Sequence, residues 1–325
     1  MKNYYFFKNT TILFIFTAFF CPNFGFAQPF GCGNDIIIGN EIHIVGDCNV
    51  VSGGSISITQ NIVIHTGAHL DLTFTYLRMS RDTRIIVRHG ASLRLSQSSI
   101  TGNPNWIGVE VWGSPTATHP TNNVDIINDV YPSNDPAVAQ GQQGTVYLNR
   151  AIIADAHNAF ATKSYTQGGQ WGGIIIAENF TTFRDNRRTV EFLQFLQDNI
   201  SSFTECDFYF NYFSPGSFAD SDFKNFVSMW DVHGVEFIDC NLFLPETFEL
   251  EPNKRAFYSI NADYLFTEGS IVNTPKGLVA DDTQTTTGSI EITDNRFLGR
   301  SYFGTLWTGV QNGVFVDNDY YFSIT

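Results

Sequence analysis

Two stretches of the chain spell one pattern 23 residues apart. The first is Ile62-Val63-Ile64-His65-Thr66-Gly67-Ala68-His69-Leu70-Asp71-Leu72, and the second is Ile85-Ile86-Val87-Arg88-His89-Gly90-Ala91-Ser92-Leu93-Arg94-Leu95. Each alternates apolar and polar residues, breaks at Gly-Ala and alternates again, which reads as two short strands joined by a sharp corner. One such unit cannot bury its apolar face alone, whereas copies stacked above and below can. A period in the low twenties suits one coil of a parallel β-helix. The echo therefore predicts an all-β solenoid.

Register follows from the same pair. Asp71 sits outward between Leu70 and Leu72, and Arg94 sits outward between Leu93 and Leu95, so stacked coils place opposite charges side by side. From Asp35 to Leu95 strand follows strand, broken at Gly46, Gly53-Gly54, Gly67 and Gly90, with no helical period. Trp106 to Gly113 alternates again. The polar run at about 114–144, rich in Pro, Asn, Asp and Gln, is then expected to form a long loop inserted on one side of the coil.

Past Gly144 a second signature takes over, in which an apolar residue is followed three places later by Asn, Cys or Gly. It occurs at Phe183 with Asn186, Phe203 with Cys206, Phe237 with Cys240, Phe266 with Gly269, Ile292 with Asn295, and Phe315 with Asn318. These fourth positions read as one corner ladder. Asn tolerates left-handed backbone and its amide can bond to a stacked coil, Gly meets the first need, and Cys packs. The 31 phenylalanines suggest stacked rings in a narrow core.

Residues 1–27 stand outside this pattern. Lys2 and Lys8 precede the apolar run Thr11 to Phe20, and Gly25-Phe26-Ala27 offers small residues for cleavage before Gln28, so the segment reads as a secretory signal peptide. Phe20 is too bulky for the position before a lipidated Cys21, and no later segment offers a membrane span. The expected location is extracellular or the outer cell surface, with the periplasm open, and residues 28–325 form the β-helix domain. Without Lys2 and Lys8, 16 basic residues face 32 acidic ones, a formal charge of −16. Nucleic acid and anionic membrane are poor partners for such a chain.

Four cysteines remain, and export permits their oxidation. Cys32 and Cys48 flank a strand at the mature N-terminus, where a first coil needs closing, and are the disulfide candidates. Cys206 and Cys240 occupy equivalent places in neighbouring repeats, with side chains parallel, and are expected to stay reduced, buried and inert. None has the close paired spacing of a zinc site.

The paired Gly-Ala-x-Leu-x-Leu segments, Trp106 to Gly113, Val232-His233-Gly234-Val235-Glu236-Phe237 and Gly288-Ser289-Ile290-Glu291-Ile292-Thr293-Asp294-Asn295 together carry a resemblance. The chain resembles the right-handed parallel β-helix proteins of the pectate-lyase-like superfamily, in particular exported repeat proteins of the Bacteroidota. The resemblance covers most of residues 28–325 and implies the fold rather than the activity, because that fold hosts lyases, hydrolases, adhesins and tailspikes alike. Large members often carry a C-terminal sorting domain. Here the sequence stops at Tyr321-Phe322-Ser323-Ile324-Thr325, within or just after a strand, which leaves a downstream portion or a partner open.

Candidate chemistry is sparse. Polygalacturonase-like members use three aspartates, a Gly-His-Gly turn and a basic residue in a set order. Asp281-Asp282 resembles the paired acids, but His233-Gly234 precedes rather than follows them, and Val232 stands where the first Gly belongs. Asp220 with Asp222, Asp281 with Asp282, and Asp317 with Asp319 lack a telling arginine for calcium-assisted elimination and read as surface acids. His65 and His69 flank a Gly corner without a third ligand, so no metal or cofactor is expected. Arg78, Arg81, Arg84, Arg88 and Arg94 lie within 17 residues and could receive an anionic glycan. Trp106 and Trp112, six apart on an alternating strand, share a face and could stack on sugar if that face is open. The expectation is a structural, adhesive or glycan-binding scaffold whose partner is polysaccharide or another surface protein. A polysaccharide lyase or glycoside hydrolase on the same coil is the alternative.

Overall fold

The computed structural model describes residues 29–322 except 103–105, 116, 121–142, 165–167, 170, 212–221, 246–253, 282–288, 300–302, 309 and 311–312. The signal segment, Asp220, Asp282 and most of the expected 114–144 loop therefore lie outside the described residues.

Among the described residues the chain forms three long sheets of eleven, ten and ten strands and no α-helix. Each coil contributes one strand to each sheet in turn. Asn61–Ile64 lies in the first sheet, His69–Thr73 in the second and Tyr76–Met79 in the third, before Arg84–Val87 returns to the first. Neighbours within a sheet are parallel strands from successive coils, which makes the molecule a parallel β-helix. The outermost strand at the N-terminal end of the first sheet, Asp35–Ile38, is the exception, pairing antiparallel to Glu41–Ile44 at the start of the solenoid. Cys32 is joined to Cys48 of the second sheet by a disulfide over this end.

The echo that defines the period pairs as it reads. Ile62 lies beside Ile85, Leu70 beside Leu93, Leu72 beside Leu95 and Asp71 beside Arg94. Inside the coil, one column of the second sheet runs Val50, Leu72, Leu95, Leu148, Ala177, Phe203, Phe237, Phe266 and Ile292. The column turns aromatic from Phe203. Phe203 and Phe237 stack with centroids 4.8 Å apart, matching the strand spacing of ~4.8 Å, so a ring on each coil meets its neighbour without a gap.

From the second coil onward the corner between the second and third sheets ends in the same two positions, preceded in one coil by an extra residue, Asn179, also at positive φ. The first of the two has positive φ in each of these coils: Phe74, Gln97, Arg150, Phe180, Glu205, Asp239, Glu268, Asp294 and Asp317, all between 49° and 64°. The second is Thr75, Ser98, Ala151, Thr181, Cys206, Cys240, Gly269, Asn295 or Asn318. The sequence expectation that Asn or Gly supplies the left-handed backbone is thus corrected, since the residue before it does so. Where the second residue is Thr75, Ser98, Thr181, Cys240, Asn295 or Asn318, it supplies a hydrogen bond to the coil below. Asn295 accepts from the Gly269 amide (2.8 Å) and donates to the Phe266 carbonyl (2.8 Å), and Ser98 does the same with Thr75 (2.9 Å) and Leu72 (2.8 Å). The Cys240 thiol reaches the Phe203 carbonyl at 3.3 Å.

Asn186 is corrected as well. It lies at the corner from the third sheet to the first, between Thr182–Arg184 and Arg188–Phe192, so the ladder counterpart in that coil is Thr181. Asn186 performs the same stacking chemistry there, accepting from Ala156 (2.9 Å) and donating to Ile153 (3.0 Å).

Candidate functional site

The expected ligand-binding residues do not converge. Trp106 is fully buried inside the coil, its indole N–H donating to the Ala154 carbonyl at 2.8 Å. Trp112 lies on the opposite, outer face of the first sheet, packed with Val63 and Ile86. The shared face is lost because Gly108, at φ 116°, makes a bulge against Asn158 that shifts the alternation by one residue. Both indoles are buried, so neither offers a sugar platform.

The arginines disperse for a simpler reason, since 17 residues of a coil traverse all three faces. Arg78 is exposed on the third sheet, and Arg81 beside Asp82 occupies the next corner. Arg84 opens a first-sheet strand and pairs with Glu110 at 2.6 Å. Arg88 ends that strand, bonded to His65 and lying over Trp112, while Arg94 on the second sheet stacks over Tyr147 at 4.5 Å.

Charge on the outer face of the first sheet is self-contained. Glu110 is fully buried and also accepts from the Trp112 indole at 2.9 Å. Glu191 takes Arg188 at 2.5 Å, Lys163 at 2.6 Å and Asn158 at 3.2 Å. Both carboxylates are thus held by neighbouring side chains, while Nε of Arg84 is left buried without a hydrogen-bond partner.

An open site forms where the turns leaving the first sheet meet the second. Asp198, His233, Gly234, Glu236, Asp263, Leu265, Ser289 and Glu291 line a groove of about 310 Å³. Its wall is a short sheet of Phe195–Asp198 against Val232–His233. Asp263 donates its amide to the Val232 carbonyl (2.9 Å) and accepts from the Gly234 amide at its own carbonyl (3.1 Å), which holds its carboxylate against Nδ1 of His233. That hydrogen bond, with the charges of Asp263, Asp198 and Asp231, raises the His233 pKa against the lowering effect of burial. Glu236 and Glu291 point outward in one column of the second sheet with Leu265 between them, about 10 Å apart at twice the strand spacing.

Of these residues only His233-Gly234 was singled out in the sequence. Glu236 and Glu291 were accessible to it through alternation, each flanked by buried apolar neighbours. Asp198 and Asp263 come from turns of unequal length and carry no periodic signal. Asp281 lies apart, at the end of Lys276–Asp281, and Asp317 and Asp319 lie at the final corner. His65 and His69 diverge, the first bonding His43 and the second Ser92. Cys206 and Cys240 are buried free thiols, and burial, reinforced by their mutual hydrogen bond, pushes Cys206 up.

Among the described residues no three His, Cys, Asp or Glu side chains gather as a metal site, and no helix is long and apolar enough to cross a membrane. Comparison with protein families finds no model that matches the chain, and comparisons with curated proteins and with solved structures find no match.

Proposed function

We propose that this protein is an exported β-helical scaffold of the pectate-lyase-like kind that holds a saccharide chain in the groove around His233. One observation carries the reading: Asp198, Glu236 and Glu291 face an open concavity, whereas Glu110 and Glu191 of the first sheet are each held by neighbouring cations. Carboxylates that accept from sugar hydroxyls, spaced along the axis of a rod, suit an extended ligand better than a compact one. Among the described residues no Lys or Arg lines the groove, which favours neutral or amine-bearing saccharides over polyuronates.

A glycan array tests this. Neutral and amino glycans are expected to bind, and the double change Glu236→Gln with Glu291→Gln is expected to weaken binding at least about tenfold. Preference for polyuronates would sink the reading.

A glycoside hydrolase on the same groove is the second reading, favoured by the imidazole of His233 oriented by Asp263 among carboxylates. Release of reducing ends from a neutral polysaccharide, abolished in His233→Ala, decides for it against the scaffold.

A further inference from the structure

We propose that His119 is a positioning residue for this groove, a clamp that fixes the wall strand Phe195–Asp198 and lets it go in acid. The inference rests on the groove as the binding site. His119 reaches from the segment after Trp112 across the turns of two later coils. Its Nε2 donates to the Gly172 carbonyl at 2.6 Å, its Nδ1 accepts from the Ile200 amide at 3.2 Å, and its ring stacks on Phe195 with centroids 4.3 Å apart. Phe195 opens the wall strand and Ile200 stands two residues past Asp198, so one imidazole grips that strand at both ends.

The segment that carries His119 is tied down by Gln143. Gln143 holds Ser114 through both its amide atoms, at 3.2 and 3.1 Å, and its Nε2 also donates to the Ala117 carbonyl at 3.1 Å. Below the clamp, Gly172 has φ 102°, and a Cβ there would meet the Phe195 ring at 2.6 Å, so the turn has no room to shift. From the clamped strand the order passes to His233, because the Phe195 amide donates to Asp231 (2.8 Å) and the Asn199 amide to His233 (2.7 Å).

The clamp needs neutral imidazole. A proton on Nδ1 would face the Ile200 N–H, donor against donor, and a buried imidazolium has no counter-charge among the described residues. Among the described residues the elements in contact with the ring are the Gly172 turn, the strand Phe195–Asp198 and the Asn199–Ile200 turn, and Asp198 is their one titratable group, directed to the groove. Burial therefore dominates, lowering His119 to about 4 against the partly opposing bond to Gly172. An unclamped His119 titrates near 6.5, so the clamped state is fully favoured above that pH and loses ground as pH falls toward 4.

Amide hydrogen exchange on the unliganded protein, corrected for intrinsic rates, tests this at Ile200, Phe195 and Asn199 between pH 7.5 and 4. Protection at all three should fall together, by up to about tenfold per pH unit below 6.5. His119→Gln, which can donate and accept without titrating, should keep protection level across the range, and His119→Phe should lower it at every pH. Wild-type protection that stays level, or a fall at Ile200 that leaves Phe195 and Asn199 untouched, overturns the clamp. Because no ligand is present, a groove that binds no saccharide leaves this result standing.

Discussion

The imidazoles of His43 and His65 share a hydrogen bond of 2.7 Å between adjacent coils. Arg88 of the next coil donates to Nδ1 of His65 at 3.3 Å, so the proton of His65 sits on Nε2 and points at Nδ1 of His43. His43 then presents its own Nε2–H toward Glu41, 3.6 Å away. A single direction of donation thus runs from a guanidinium through two neutral imidazoles to a carboxylate. Burial first, then Arg88, lower the pKa of His65. Its contribution to stability is present above 6.5 and is lost as pH falls below it, by tenths of a kcal/mol at this half-buried, solvent-screened site. Nitrogen-15 spectra should show His65 as the Nε2–H tautomer, titrating below 6.5. A midpoint at or above that value would contradict the chain of donation.

Asp155 should respond in the opposite sense. Burial, and then the charge of Asp185 one coil away, raise it to about 6. The folded state prefers the acid form, so stability declines as pH rises from 3.8 toward 6. Asp155→Asn keeps a residue that accepts the φ of 62° and removes the charge. Above pH 6 it should stabilise the fold by about 1 kcal/mol after discounting for solvent screening, and by nothing near pH 3. Urea midpoints at the two pH values check this.

Asn295→Ala should cost about 2 to 4 kcal/mol. It strands the Gly269 amide and the Phe266 carbonyl, both satisfied by the buried amide, whereas Asn318→Ala, at a half-exposed corner, should cost less. Equal losses at the two sites would show that the ladder stabilises by packing rather than by hydrogen bonds.

Gly108→Ala should be the most damaging of the single changes. Its Cβ would sit 1.6 Å from the Asn158 carbonyl oxygen, at a φ that side chains disfavour. The next coil cannot retreat without breaking its own ladder, so a loss of at least ~3 kcal/mol is expected. A thermal midpoint within 2 °C of wild type would refute the bulge.

Reduction of Cys32–Cys48 should open the antiparallel end first. The bridge spans 16 residues, which corresponds to roughly 3 kcal/mol of chain entropy. Exchange should rise at Ile37 and Ile42, which face each other there, before it rises at Leu95.

What was legible in the sequence was whatever repeats. Ile62 over Ile85 and Asp71 over Arg94 could be placed because the first full coils are of constant length and each outward residue lies between two buried ones. The count failed at Trp106 and Trp112, where the register shifts between Gly108 and Val109 against an extra residue, Ala159, on the next coil, which no pattern announces, and at Asn186, whose short motif serves a different corner. The groove was hidden for the same reason. Asp198, His233 and Asp263 meet through turns of different lengths, so their separations of 35 and 30 residues match no period. His119 gave no signal, because its partners are the backbone of Gly172 and Ile200, which any sequence would supply.

The left-handed corner residues separate two demands that most folds entangle. Glu205, Asp239, Glu268, Asp294 and Asp317 each turn the backbone, while the stacking bond, where the next residue is Cys240, Asn295 or Asn318, falls to that residue. They succeed one another along a single edge, each amide bonding into the coil above from Glu205 to Asp294. Their side chains are free of core duties, so Asn in place of each would erase a line of negative charge and leave the turn intact. The edge is a surface on which charge can be rewritten residue by residue without renegotiating the architecture beneath it.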